Sequence, residues 1–147
     1  MARFANLLAQ YTGDESHRAL GTQAMRYLAI EEVATYRSTE PGILLADAEL
    51  RGAPAHVTVI GPKGDAGARA FHRAALRVPG VYRRIEWWDR AEGALPNADV
   101  AYPALDRPAA FFCAQGRCSL PVFKPGDLDA LAARLDQAAS PMRASPR

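Results

Sequence analysis

The sequence predicts an α/β fold: an N-terminal helical hairpin over residues 1–50, a β-α-β…β-β-α domain over residues 51–138, and a disordered tail over 139–147. Three observations carry this prediction. Apolar residues recur at helical spacing through the first part of the chain. The β-branched run His56-Val57-Thr58-Val59-Ile60 then changes the pattern, and a short Gly-containing turn between two cysteines signals a hairpin. A chain of 147 residues can bury one ordinary core, and 49% hydrophobic against 23% charged residues is the balance of a folded protein.

Each element follows from local chemistry. Phe4, Leu7, Leu8 and Tyr11 mark the first helix, which Thr12-Gly13-Asp14 ends. Asp14 is the expected N-cap of a second helix carrying Leu20, Met25, Leu28, Ile30, Val33 and Ala34, which should fade before Pro41-Gly42. Gly21 inside that helix costs up to about 1 kcal/mol against Ala unless a close packing contact requires it. Ile43 to Ala46 is a short apolar piece, and a connection leads on to Pro54. The run His56–Ile60 is a buried strand closed by Gly61-Pro62. Ala66 to Leu76 forms a helix with Ala70, Phe71, Ala74 and Ala75 on its apolar face. Pro79-Gly80 stops it, and Val81 to Trp88 is a second strand, parallel to the first. Arg90 to Arg107 is irregular. Pro108 to Cys113 and Cys118 to Phe123 form a hairpin about Gln115-Gly116. A last helix starts at Pro125-Gly126-Asp127, with Leu128, Leu131, Ala132 and Leu135 on its apolar face.

This element order from residue 56 to 138 resembles the thioredoxin-like fold with its crossover helix shortened or missing. The likeness is closest over Arg107 to Leu135, and it implies that Pro108, at the strand start, takes a cis peptide bond. A second resemblance rests on Asn6-Leu7-Leu8…Tyr11-Thr12-Gly13, Pro41-Gly42-Ile43-Leu44-Leu45, His56 to Gly61, and Phe112-Cys113…Cys118-Ser119-Leu120-Pro121. These segments are similar to the C-terminal end of a large bacterial family that joins an N-terminal thioredoxin domain to an (α/α) toroid like that of N-acylglucosamine 2-epimerases. The resemblance implies that residues 4 to 138 correspond to the last toroid helices and the domain after them. No residue here matches the motifs of the thioredoxin module or of the toroid pocket, so neither function is carried over.

Function classes narrow by exclusion. No apolar run reaches 18 residues, so no membrane span is expected. With two cysteines and no signal-peptide pattern, a cytoplasmic location is expected. Arg69, Arg73, Arg77, Arg83 and Arg84 lack interleaved aromatics and are followed by Glu86 and Asp89, which argues for a solvated face and against nucleic-acid binding. Ser119 has no nucleophile-elbow setting, and no cofactor motif or catalytic constellation is present. Where a thioredoxin carries Cys-x-x-Cys, this chain reads Gly61-Pro62-Lys63-Gly64-Asp65-Ala66-Gly67, so dithiol exchange by that route is excluded. The same loop is a loose anion-binding candidate through Gly61, Lys63 and Gly64, with Asp65 opposing an anion. A βα turn that needs small residues, with Asp65 as helix cap, is the alternative.

Cys113 and Cys118 fall opposite each other across the expected hairpin and on one face. They are redox candidates, and three states are open: two thiols, a cross-strand disulfide, or a metal site. Metal is disfavoured because two ligands are too few and sequence position brings none of His17, His56 and His72 near them. The function expected is thus a non-catalytic structural or interaction module. A redox-responsive domain using the two cysteines and an anion-binding domain are the alternatives. Because Phe4, Leu7, Leu8, Tyr11, Leu20, Met25, Leu28 and Val33 exceed what a small domain covers, a homodimer or partner contact through residues 1–36 is expected.

Overall fold

A computed structural model describes residues 1–139, with side chains placed through residue 133. The tail from Ser140 onward and the side chain of Leu135 lie outside the described residues. The protein is mixed α/β, with six α-helices and a four-stranded sheet among the described residues. It divides into two compact units, Met1–Pro54 with Leu95–Tyr102, and Ala55–Ala94 with the chain from Pro103 on.

The first unit is built on α1 (Ala2–Thr12) and α2 (Glu15–Leu28). Gly13 closes α1 in the left-handed region at φ 71°, donating to the Ala9 carbonyl, and Asp14 caps α2 by accepting from the Ser16 N–H. The second helix does not continue toward Pro41 as its spacing suggests. It ends at Leu28, and Ile30 takes an extended conformation before α3 (Glu31–Tyr36). No Gly or Pro lies at this break, so nothing local announces it. The short apolar piece Ile43 to Ala46 and the start of the connection after it are also helical: α4 (Pro41–Leu50) starts with proline at its first turn, where the missing N–H costs nothing. Its run Leu-Leu-Ala-Asp-Ala-Glu-Leu is made largely of strong helix formers.

Polar contacts lock α4 onto α1. Arg3 donates to Glu49 through Nε at 3.0 Å and Nη2 at 2.7 Å, and Asn6 Nδ2 donates to the Glu49 carbonyl at 3.1 Å. The bond to Glu49 raises the Arg3 guanidinium above its ordinary value. Residues 95–102, which carry no periodic pattern, join this unit through Asn97, whose Nδ2 donates to the Gln10 carbonyl at 2.7 Å.

The second unit follows the expected order: β1 (Ala55–Ile60), α5 (Ala66–Arg77), β2 (Arg83–Trp88), β3 (Ala109–Ala114), β4 (Arg117–Cys118) and α6 (Pro125–Ala139). The strands lie in the order β2-β1-β3-β4, with β1 parallel to β2, and β3 antiparallel to both β1 and β4. One sheet face presents Val57, Val59, Ala110 and Phe112. It packs against Phe71, Ala74 and Ala75 of α5 and Leu128 and Ala132 of α6. Asp65 caps α5, accepting from the Ala68 N–H at 2.8 Å.

Two expectations are corrected in this unit. The Arg107–Pro108 peptide is trans. Trans is the lower-energy isomer of an X-Pro bond, and the chain enters β3 directly at Ala109, paired with Ile60. The last strand is also shorter than Cys118 to Phe123. The Ser119 N–H still donates to the Phe112 carbonyl at 2.8 Å, but the Ser119 hydroxyl takes the Phe112 N–H at 3.2 Å and Pro121 has no N–H, so regular pairing stops there and a bridge recurs at Ala110–Val122.

Gly21 repays inspection because its helix interior should disfavour it. A Cβ built there would lie 3.2 Å from the Ala2 carbonyl oxygen and 3.4 Å from the Asn6 nitrogen, so the residue marks where α1 and α2 approach most closely. Gly21→Ala should therefore destabilise the protein by about 1 kcal/mol despite its better helix propensity. Denaturant unfolding checks this, and a gain in stability would show that α1 can shift to make room.

Candidate functional site

The sheet face opposite α5 and α6 is polar. Alternation puts His56 and Thr58 of β1, Arg84 and Glu86 of β2, and Phe111 and Cys113 of β3 on it. His56, Thr58, Arg84 and Glu86 are all buried, Arg84 and Thr58 completely. Buried charge needs a partner, and these residues supply one another. Arg84 Nε lies 3.2 Å from Glu86 Oε2, and the Thr58 hydroxyl donates to that same oxygen at 3.3 Å.

Pairing extends this face into one lateral row. His56 is opposite Arg84 on one side and Cys113 on the other, and Cys113 is opposite Cys118. Each of the four strands thus contributes one residue: Arg84, His56, Cys113, Cys118. Arg84 Nη2 approaches His56 Nδ1 at 3.5 Å. A guanidinium only donates, so Nδ1 is the accepting nitrogen in this contact.

The cysteines meet because of the turn between them. Ala114 pairs with Arg117, leaving a two-residue loop in which Gln115 and Gly116 have φ of 52° and 72°. Two positive φ values define the turn whose twist suits a hairpin. Cys113 and Cys118 then occupy a close cross-strand pair with Cα atoms 4.0 Å apart and are joined by a disulfide. Of the three states open from sequence, the structure holds the disulfide. Cys113 is buried and Cys118 exposed.

The reading that no histidine lies near the cysteines is corrected. One ring nitrogen of His56 and both sulfurs lie within 4.8 Å of one another, and among the described residues these three form a group able to hold a metal ion. Sequence could not place His56 there, since 57 positions separate it from Cys113 and only the antiparallel β1–β3 register joins them. His17 lies in α2, and His72 packs its ring 4.9 Å from that of Trp87 in the helix-covered layer.

The loop after β1 borders a cleft lined by Ile60, Gly61, Pro62, Asp65, Asp89, Arg90 and Leu105 to Pro108. Gly61 is required here: its φ is 152°, and a Cβ would stand 3.1 Å from both Ala68 Cβ and Pro108 Cβ. The polar groups of the loop are engaged internally. Asp89 Oδ2 accepts the Lys63 N–H at 2.9 Å, and Lys63 Nζ pairs with Glu92 at 2.6 Å. The anion-binding reading of Gly61, Lys63 and Gly64 draws no support from this arrangement, since carboxylates already hold the backbone donor and the cation. Arg90 lies over the Trp88 ring at 4.3 Å and donates to the Pro103 carbonyl, and Trp87 Nε1 donates to the Gly61 carbonyl at 2.9 Å.

No protein-family model, curated protein or solved structure matches the chain. Among the described residues, no helix is long and apolar enough to cross a membrane.

The Lys63 N–H, and after it the Ala91 N–H, hold the Asp89 carboxyl below the ordinary aspartate range. A folded value below the unfolded one gives a contribution present above the ordinary range and lost as pH falls through the folded value. Hydrogen-exchange protection at Lys63 and Ala91, corrected for intrinsic rate, should persist as pH falls through the ordinary aspartate range and be lost only below it. Loss already at higher pH would show that Asp89 does not hold the loop.

Proposed function

We propose that this chain is a non-catalytic, thioredoxin-like module whose chemistry has moved from the loop after β1 to the β3–β4 hairpin, where Cys113 and Cys118 form a redox-responsive link. The carrying observation is the disulfide at an in-register cross-strand position, with one sulfur residue exposed, in a chain that has no cysteine elsewhere. The thioredoxin-like assignment is supported by the strand order β2-β1-β3-β4 and by α5 and α6 packing on one sheet face. A role beside larger domains is what the resemblance read from the sequence, to the C-terminal end of the thioredoxin–toroid family, would imply. In a cytoplasmic setting, the compartment expected from the sequence, the poise of the surroundings would keep the pair reduced and oxidation would close it.

The response consists of a change in local order. Reduction adds two electrons and two protons to the disulfide, supplied by a dithiol reductant, and yields two thiols. The closed form removes chain entropy from the unfolded state over a short loop, which is worth about 2 kcal/mol. Thiol titration should give no free thiol in the oxidised protein and two after reduction, and denaturant unfolding should show the reduced form less stable by about that amount. Inert cysteines, or two thiols with unchanged stability, would refute the role.

A second property, self-association through residues 1–36, is supported by a separate observation. Phe4 is 68% and Tyr27 62% exposed, and Met1, Leu20 and Ile30 are also exposed. Large apolar side chains gathered on one helical unit favour a partner, and a second copy is the simplest one. Light scattering at micromolar concentration should report a dimer, and Phe4→Glu should shift it toward monomer. A monomeric parent protein would remove the proposal.

A further inference from the structure

Reduction of the hairpin would leave two thiols beside His56, and that trio has a chemistry of its own. From it we infer that the reduced row Cys113–Cys118–His56 binds one zinc ion, an inference resting on the proposed reducibility of the disulfide. The ligand types are those zinc prefers: two thiolates and an imidazole, a set too soft to favour Mg²⁺ or Ca²⁺. The three ligand atoms already lie within 4.8 Å of one another. Zinc–ligand bonds of about 2.0–2.3 Å put ligand atoms roughly 3.3–3.8 Å apart in a tetrahedron. Reduction frees the two sulfurs from each other, and Cys118 is the exposed member of the pair, so its side chain has room to adjust to the ion.

Charge also balances. Zinc displaces one proton from each thiol, so its two positive charges meet two thiolates. Arg84, the next residue in the row, is already neutralised by Glu86 at 3.2 Å. The approach of Arg84 to His56 at 3.5 Å is long for a hydrogen bond, so it yields when the imidazole turns its lone pair to the ion. Exposure of Cys118 leaves the fourth position to water. A small-molecule disulfide as oxidant takes two electrons from the thiolates, leaving as two thiols while the Cys113–Cys118 bond forms and the ion is released, so the hairpin would hold zinc only when reduced.

The experiment uses the full chain, reduced with a phosphine, freed of reductant under anaerobic conditions, and titrated with Co²⁺ as a spectroscopic substitute. One equivalent should produce a thiolate-to-cobalt charge-transfer band and the intense visible bands of a tetrahedral site. Zn²⁺ should abolish both stoichiometrically, and the oxidised protein should show neither. Cys118→Ser, at an exposed position, should lose the charge-transfer band, and His56→Asn should weaken binding by at least about tenfold. Thiols are counted in the same samples. Two reactive thiols with no cobalt spectrum would overturn the zinc site and leave the redox proposal standing. Thiols that never form would overturn both. A His56→Asn protein that remains folded and binds cobalt as the parent does would remove His56 from the site. Should that variant not fold, the parent and Cys118→Ser spectra decide.

Discussion

Register is the constraint on which the rest of the second unit depends. Side chains in a strand alternate with a period of two, so a slip of one residue in β3 would carry Cys113 to the helix-covered face and Phe112 to the polar one. Two devices prevent that slip. On one side the two-residue turn at Gln115-Gly116 fixes β3 against β4, and on the other Val59 and Ala110 share the core under α5 and α6. The apolar layer therefore positions the polar one. Val57, Val59, Ala110 and Phe112 decide, by being buried together, that His56, Thr58 and Cys113 face the other way.

The polar face then imposes its own conditions. A fully buried Arg84 persists because Glu86 neutralises it and Thr58 bonds to the same carboxylate. These contacts hold the guanidinium beside His56 and set which imidazole nitrogen faces it. The loop after β1 has the contrary character. Its Lys63 N–H is held by Asp89 and the Lys63 side chain pairs with Glu92, which ties the loop to the segment after β2. His56 lies at the opposite end of β1, beside the cysteine pair, and that pair is the physical ground of the proposed function.

The helical unit shows the same division between apolar packing and polar fixation. Gly21 lets α1 and α2 approach at backbone distance, while the buried Glu49 carboxylate and carbonyl receive Arg3 and Asn6 from α1. Neither contact is visible as a motif, because a lone glycine and a lone arginine are common in helices.

Much of the architecture was legible in local residues. The caps at Asp14 and Asp65, the β-branched run at His56–Ile60, the Gln115-Gly116 turn and the opposition of the two cysteines all follow from interactions within a few residues, which sequence spacing records. The break between α2 and α3 and the helix at Pro41–Leu50 were not legible: the break has no local breaker, and a Pro-Gly pair reads equally as a turn or as a helix start. The recruitment of residues 95–102 to the first unit and the meeting of His56 with Cys113 were decided by tertiary structure. Each depends on residues distant in sequence: Asn97 reaches the Gln10 carbonyl, and His56 meets Cys113 through which strands pair, in which direction and in which register. A single sequence carries the alternation of each strand but not the identity of its neighbour, so it determined the faces, and only the assembled sheet determined the row.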